Sequence, residues 1–126
     1  MIADFHRQPI VLASQSPRRR DLLAQAGIAF EAVSPRYDEP PTSGRHPDPA
    51  AVAELFSLRK AESLAEDYPD RLILAADTVV ALDGEIFGKP EDIADARRIL
   101  SALLGTTQQV ITGVTLLHPA GGRRLT

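Results

Sequence analysis

An aspartate inside an apolar run is the first residue that asks for a chemical explanation. Asp77 sits in LILAADTVVAL, residues 72–82, where only it and Thr78 are polar. A carboxylate in a central strand costs several kcal/mol unless it is paired or bound to a metal. Beside a pocket it could hold a divalent cation or orient a water molecule. Satisfaction by backbone groups at a bulge is the plainer alternative. Lys60 poses the mirror-image problem. Phe56 and Leu64 stand four residues to either side of it and Val52 two turns before, so one helical face carries all four. A lysine on such a face either snorkels outward or meets a buried anion. Arg59 falls close to the same stripe, and spacing alone does not choose between the two.

A third group is ASQSPRRRDLL, residues 13–23. Ser16 is a good helix N-cap and Pro17 a good first helical residue, so Arg18, Arg19 and Arg20 fall at the positive end of a helix dipole. A cation there loses roughly 0.3–1 kcal/mol. A strand leading through a tight loop into a helix N-terminus is, however, a general anion site, with free amides pointing outward. Ser14 and Ser16 would add hydroxyls, and Arg18 and Arg19 would add forked donors suited to phosphate oxygens. A solvated basic turn whose serine merely caps the helix fits the local residues equally well.

These residues need elements to hold them. Ile10 to Ser14 reads as a buried strand, followed by a helix that Gly27 stops. Phe30 to Ser34 is a weaker strand. Residues 35–49 hold five of the ten prolines and are expected to form no regular element. A second helix starts at Asp48-Pro49 and runs to about Tyr68-Pro69. The long strand 72–82 turns at Asp83-Gly84, a hairpin signal, into Glu85 to Phe87. A third helix after Pro90 places Ile93, Ala96, Leu100 and Leu103 on one stripe and closes at Gly105. Gln109 to Leu117 is a further strand, and Arg123 would open another. Strands alternating with helices and then hairpins predict an α/β fold with a mixed β-sheet flanked by helices.

The 126 residues make a single domain, and the stop straight after the Gly121-Gly122 turn leads us to expect a C-terminally incomplete one. The chain lacks cysteine, which excludes disulfides and thiolate metal sites. No apolar stretch approaches a membrane span and no signal segment is visible, so a cytoplasmic location is expected. A net charge of −3 with 5% aromatic residues argues against nucleic acid as the partner. GEIFGKP resembles a phosphate-binding P-loop only superficially: three residues separate Gly84 from Gly88, and Lys89 precedes a proline. Lys89 could still reach a phosphate as a point charge. His6, His46 and His118 are far apart in sequence, and no G-x-S-x-G nucleophile elbow is present.

Taken in order across residues 10–117, LASQSPRRRDLL, RKA, AADTVV, DGEIFGKP and TGV resemble the Maf (septum-formation-like) proteins. Those are nucleoside triphosphate pyrophosphatases with a fold akin to inosine triphosphatases. The resemblance implies a nucleoside triphosphate as substrate, with Ser14, Arg18 and Arg19 on its phosphate oxygens and Lys60 and Lys89 completing a positive cage. It makes Asp77 the catalytic carboxylate, and it places Asp77 and Glu39 at a divalent metal cofactor, Mg²⁺ or Mn²⁺. SPRR, together with Thr78 as a substrate-binding residue after Asp77, is similar to the dTTP/UTP branch. The family differs in carrying a histidine where Gln108 stands and often an acidic residue where Arg59 stands. It also continues into a segment like DKAGAYGIQG, whose glutamine helps read the base. A homodimer is compatible with the resemblance. The alternatives are a nucleotide-binding regulatory module without turnover and a septum-related interaction module using the proline-rich loop.

Overall fold

The computed structural model describes residues 8–42, 44–88 and 90–126. Lys89 and His6 therefore lie outside the described residues. The elements follow one another as β1 (Ile10–Ala13), α1 (Pro17–Gln25), β2 (Phe30–Val33), β3 (Gly44–Arg45), α2 (Pro49–Glu62), β4 (Ile73–Leu82), β5 (Glu85–Phe87), α3 (Ile93–Leu103), β6 (Gln109–His118) and β7 (Arg123–Leu125). All seven strands join one mixed sheet, which bears out the predicted fold class. Strand boundaries agree with the sequence reading to within a residue, and two elements differ by more. The proline-rich loop contains a two-residue strand after all, because Gly44 and Arg45 pair with Ile86 and Glu85 of β5. The second helix ends at Glu62, and residues 63–67 continue only as turns.

The sheet splits around β4. Antiparallel pairing with β6 occupies one edge of β4 from Ile73 to Ala81. The other edge must therefore take both remaining neighbours. Parallel β1 pairs with Ile73 and Leu74, whereas antiparallel β5 pairs with Val80 to Leu82. Among the described residues, no strand covers the β4 edge at residues 75–79, between those two ladders. Such a gap, beyond the carboxyl end of β1, is where open α/β sheets generally bind ligands. The β4–β5 connection is tight, with Asp83 at φ 50° and Gly84 at φ 79°, the double left-handed turn that an Asp-Gly pair favours.

Helix α2 covers one face of this sheet. Asp48 caps it by accepting from the Ala51 amide at 3.2 Å, and Pro49 takes the first helical position. Ala61 and, just past the end of the helix, Leu64 pack with Val11, Ala13, Ile73 and Ala75, while Ala53 packs with Val79 and Ile86. The β4 residues in this core are the odd-numbered ones, and Asp77 belongs to the same set. Gly113 of β6 lies directly under the helix: a Cβ there would come within 2.5 Å of the Ala53 carbonyl carbon. The opposite face is less covered. The apolar stripe expected on α3 exists but buries nothing, with Ile93 74% and Leu100 59% exposed, and Val110 and Val114 of β6 are exposed as well. Among the described residues, no helix is long and apolar enough to cross a membrane.

Candidate active site

Asp77 meets its charge partner across the α2–β4 interface. Lys60 Nζ lies 2.8 Å from Asp77 Oδ1 and 2.6 Å from Glu39 Oε1. The Asp77 side chain is only 8% exposed and that of Lys60 16%. The β4–β6 register runs unbroken through Asp77 and Gly113, so no bulge satisfies the carboxylate; the ammonium does. The ambiguity between neighbouring cations on α2 is thereby resolved. Arg59 points to solvent and pairs with Glu62 at 3.0 Å.

Glu39 reaches the site from a loop without periodic structure, which several anchors hold in place. The Arg36 amide donates to Ser63 Oγ at 2.9 Å, just past the end of α2. The Arg36 guanidinium pairs with Asp67 at 2.8 Å. Tyr37 packs edge-on against Phe56, with ring centroids 6.0 Å apart. These contacts tie the residues just before Glu39 to the helix that carries Lys60.

The electrostatics of the trio are unequal. Burial, followed by the hydrogen bond to Glu39, pushes the Asp77 carboxyl up to about 6 against the pull of Lys60. Burial also disfavours a charged Glu39, but hydrogen bonds from Asp77 and Lys60 outweigh it and hold Glu39 below the usual carboxylate range. Lys60 follows the same logic: burial opposes its charge, and hydrogen bonds to Asp77 and Glu39 more than offset this and raise its pKa. Two carboxylates thus share one ammonium, and the more buried one retains a proton longest. In protein free of divalent cations, the ¹³C resonance of the Asp77 carboxyl should titrate with a midpoint near 6. Because Glu39 contributes to raising it, Glu39→Gln should move that midpoint down. An unchanged midpoint would break the proposed coupling. Native Asp77 binds protons that the unfolded chain has released, so its contribution to stability declines as pH rises from about 4 to about 6.

The other wall of the site is the start of α1. Ser14, 7% exposed, follows β1, and its Oγ accepts from the Ser16 amide at 3.0 Å. Ser16 caps α1 as expected, accepting from the Arg19 amide at 3.3 Å, and the first turn of the helix holds no acidic residue. Arg19 turns inward, and its Nη2 donates to Thr78 Oγ1 at 3.0 Å. Consecutive strand residues normally face opposite sides of a sheet. Here both Asp77 and Thr78 line one cleft, because the β4 edge is uncovered between β1 and β5. The cleft has a volume of about 760 Å³, enough for a nucleotide.

Of the residues singled out from sequence, Ser14, Arg19, Glu39, Lys60, Asp77 and Thr78 converge on this cleft. Arg18 is exposed on α1 and does not line it. Lys89 lies outside the described residues, although its neighbour Gly88 is at the rim. Residue-type reasoning missed Gly113, whose strand-interior glycine is a recognised sign of close backbone approach. It also missed Thr112, which hydrogen-bonds Thr78.

The comparisons with known proteins agree with this architecture. A protein named dTTP/UTP pyrophosphatase from Salinibacter ruber is 50% identical over 118 residues, covering 94% of this chain and 57% of the relative. Another of that name from Symbiobacterium thermophilum is 46% identical over 112 residues, covering 88% of this chain and 56% of the relative. A third, from Dictyoglomus turgidum, is 44% identical over 120 residues, with 95% and 62% coverage. The chain thus spans less than two thirds of the length of these relatives. Among solved structures, a nucleoside-triphosphatase (dITP/XTP pyrophosphatase) from Mycobacterium abscessus superposes with a TM-score of 0.54 at 20% identity, covering 94% of this chain and 68% of that one. That likeness establishes the inosine-triphosphatase-like fold. The family model described as "Maf-like protein" matches residues 9–126, and with it the split sheet and its acidic cleft acquire a lineage: the chain belongs to the Maf-like proteins.

Proposed function

We propose that this chain carries the catalytic cleft of a nucleoside triphosphate pyrophosphatase acting on dTTP- or UTP-like nucleotides, in the cytoplasm. The observation that supports it most is the trio in which Lys60 is shared by Glu39 and Asp77, set opposite the cationic start of α1. A triphosphate lying across the gap would place its oxygens against Ser14, the first amides of α1 and Arg19. The relatives named dTTP/UTP pyrophosphatase supply the direction of the substrate assignment.

The donor set fits a hard divalent cation such as Mg²⁺ or Mn²⁺. With both carboxylates ionised, two negative charges face one ammonium, which leaves a net charge that a divalent cation would offset. Among the described residues, no group of three His, Cys, Asp or Glu side chains encloses a metal site by itself. Magnesium commonly uses one or two protein carboxylates and completes its shell with phosphate oxygens and water. Asp77 and Glu39 would hold the ion, which when bound supplies charge neutralisation on the phosphate oxygens.

The chain's own residues account for the remaining chemistry. Asp77 accepts a proton from the attacking water, which it can reach from the floor of the cleft. The water oxygen bonds to phosphorus, and the bridging P–O bond between the α- and β-phosphates breaks. Its electron pair leaves on pyrophosphate. Lys60 and Arg19 offset charge on the phosphoryl oxygens. A panel of nucleoside triphosphates with Mg²⁺, assayed for pyrophosphate, tests the assignment. Release from dTTP and UTP well above that from ATP, GTP and 7-methyl-GTP is expected, and a flat panel or no release would overturn it.

A further inference from the structure

Thr78 carries a hydrogen-bond arrangement that the cleft alone does not explain. On β6, Thr112 stands directly opposite Thr78 in the register, and the two hydroxyl oxygens are 2.9 Å apart. Thr112 does not line the cleft, whereas Thr78 does. The Thr112 backbone is fixed from its other side, because the adjoining Gly113 is pressed against the Ala53 backbone of α2. The pair therefore connects a rigid part of the sheet to an exposed group at the ligand's edge.

Either hydroxyl can donate to the other, and the direction decides what Thr78 offers a ligand. Arg19 can only donate, so its hydrogen bond to Thr78 Oγ1 uses one of that oxygen's two lone pairs. Each threonine hydroxyl has a single proton. If Thr78 gave its proton to Thr112, one lone pair but no proton would remain for a ligand. If Thr112 donates, Thr78 accepts twice and its own proton is free to enter the cleft.

We propose that Thr112 is a positioning residue: its hydroxyl donates to Thr78, and so holds Thr78 both as the acceptor for Arg19 and as a donor to an acceptor oxygen of the bound nucleotide. The inference rests on the pyrophosphatase reading of the cleft. Thr112 touches no substrate and acts only through Thr78. Losing it loosens the orientation of two ligand-facing groups without altering the carboxylate trio, so the effect falls on affinity rather than on the chemical step.

The test compares Thr112→Val, which keeps shape and strand preference, with Thr112→Ser, which keeps the hydroxyl. For Thr112→Val, the KM for dTTP in pyrophosphate release and the calorimetric Kd for dTTP should rise about 3- to 10-fold, the range expected for one lost hydrogen bond. The kcat should change less than twofold and the urea midpoint should not move. Thr112→Ser should restore wild-type affinity, and in a Thr78→Val background Thr112→Val should have no further effect. An unchanged KM in Thr112→Val, a serine variant as weak as the valine one, or additive effects with Thr78→Val would each overturn the proposal. If the wild-type chain binds dTTP but releases no pyrophosphate, the functional reading falls and the calorimetric arm still decides the role of Thr112. Absence of dTTP binding by the wild type overturns both.

Discussion

Asp77→Asn should lower the rate of pyrophosphate release from dTTP by about 10²–10⁴-fold, the range for loss of a positioned general base, while nucleotide binding should stay largely intact. The substitution is nearly isosteric and removes the carboxylate assigned as the proton acceptor. Folding should survive it. Lys60 keeps Glu39 at 2.6 Å, so no buried ammonium is orphaned. Removing a carboxylate whose ionisation is opposed by burial and by Glu39 also relieves the native state. Steady-state kinetics paired with calorimetric binding check both halves. Wild-type turnover by Asp77→Asn would remove Asp77 from the mechanism.

The second large effect comes from a residue without functional groups. Gly113→Ala should destabilise the chain by about 1–3 kcal/mol through overpacking, read as a lower urea midpoint with an unchanged slope. The new Cβ would stand 2.5 Å from the Ala53 carbonyl carbon and 2.6 Å from both its oxygen and the Glu54 nitrogen. All three are backbone atoms, so no side-chain rotation relieves the overlap and Ala53→Gly cannot rescue it. Helix α2 has to move away from β6 as a body. Since α2 carries Lys60 and β4 carries Asp77 opposite Gly113, the same movement should disturb the 2.8 Å pair and lower the proposed pyrophosphate release. Stability and activity both equal to wild type would show that α2 does not dock as tightly as described.

Much of the site could be read from residues whose chemistry conflicts with their surroundings. Asp77 in an apolar strand and Lys60 on an apolar helical face each demanded a partner, and they are each other's partner. Ser16-Pro17 marked the start of α1 by local capping rules alone. The choice between Lys60 and Arg59 was not legible, because both fall near the edge of the stripe and only the docking angle of α2 separates them. Glu39 was accessible only through family resemblance. It stands on a loop whose position depends on Ser63, Asp67 and Phe56, contacts that no local pattern encodes.

The misses share a cause. Thr112 and Gly113 matter because of cross-strand register with Thr78 and Asp77, 34 and 36 residues away in sequence, and register is a property of the assembled sheet. Strand β3 was missed because two residues in a proline-rich loop make too short a signal, yet β5 recruits them. The apolar stripe of α3 was legible as a stripe, but periodicity states which residues share a face, not whether anything covers it. Arg18 illustrates the same limit at short range. It neighbours Arg19 in sequence, and one helical step of about 100° turns it out of the cleft.

The most direct test of the proposed reaction follows the products of dTTP with Mg²⁺ by ³¹P NMR, using the wild-type chain and Asp77→Asn side by side. The wild type should yield dTMP and pyrophosphate in equal amounts with no orthophosphate, and Asp77→Asn should leave the triphosphate signals intact over the same period. Orthophosphate with dTDP, or the same products at the same rate from both proteins, would contradict the assignment.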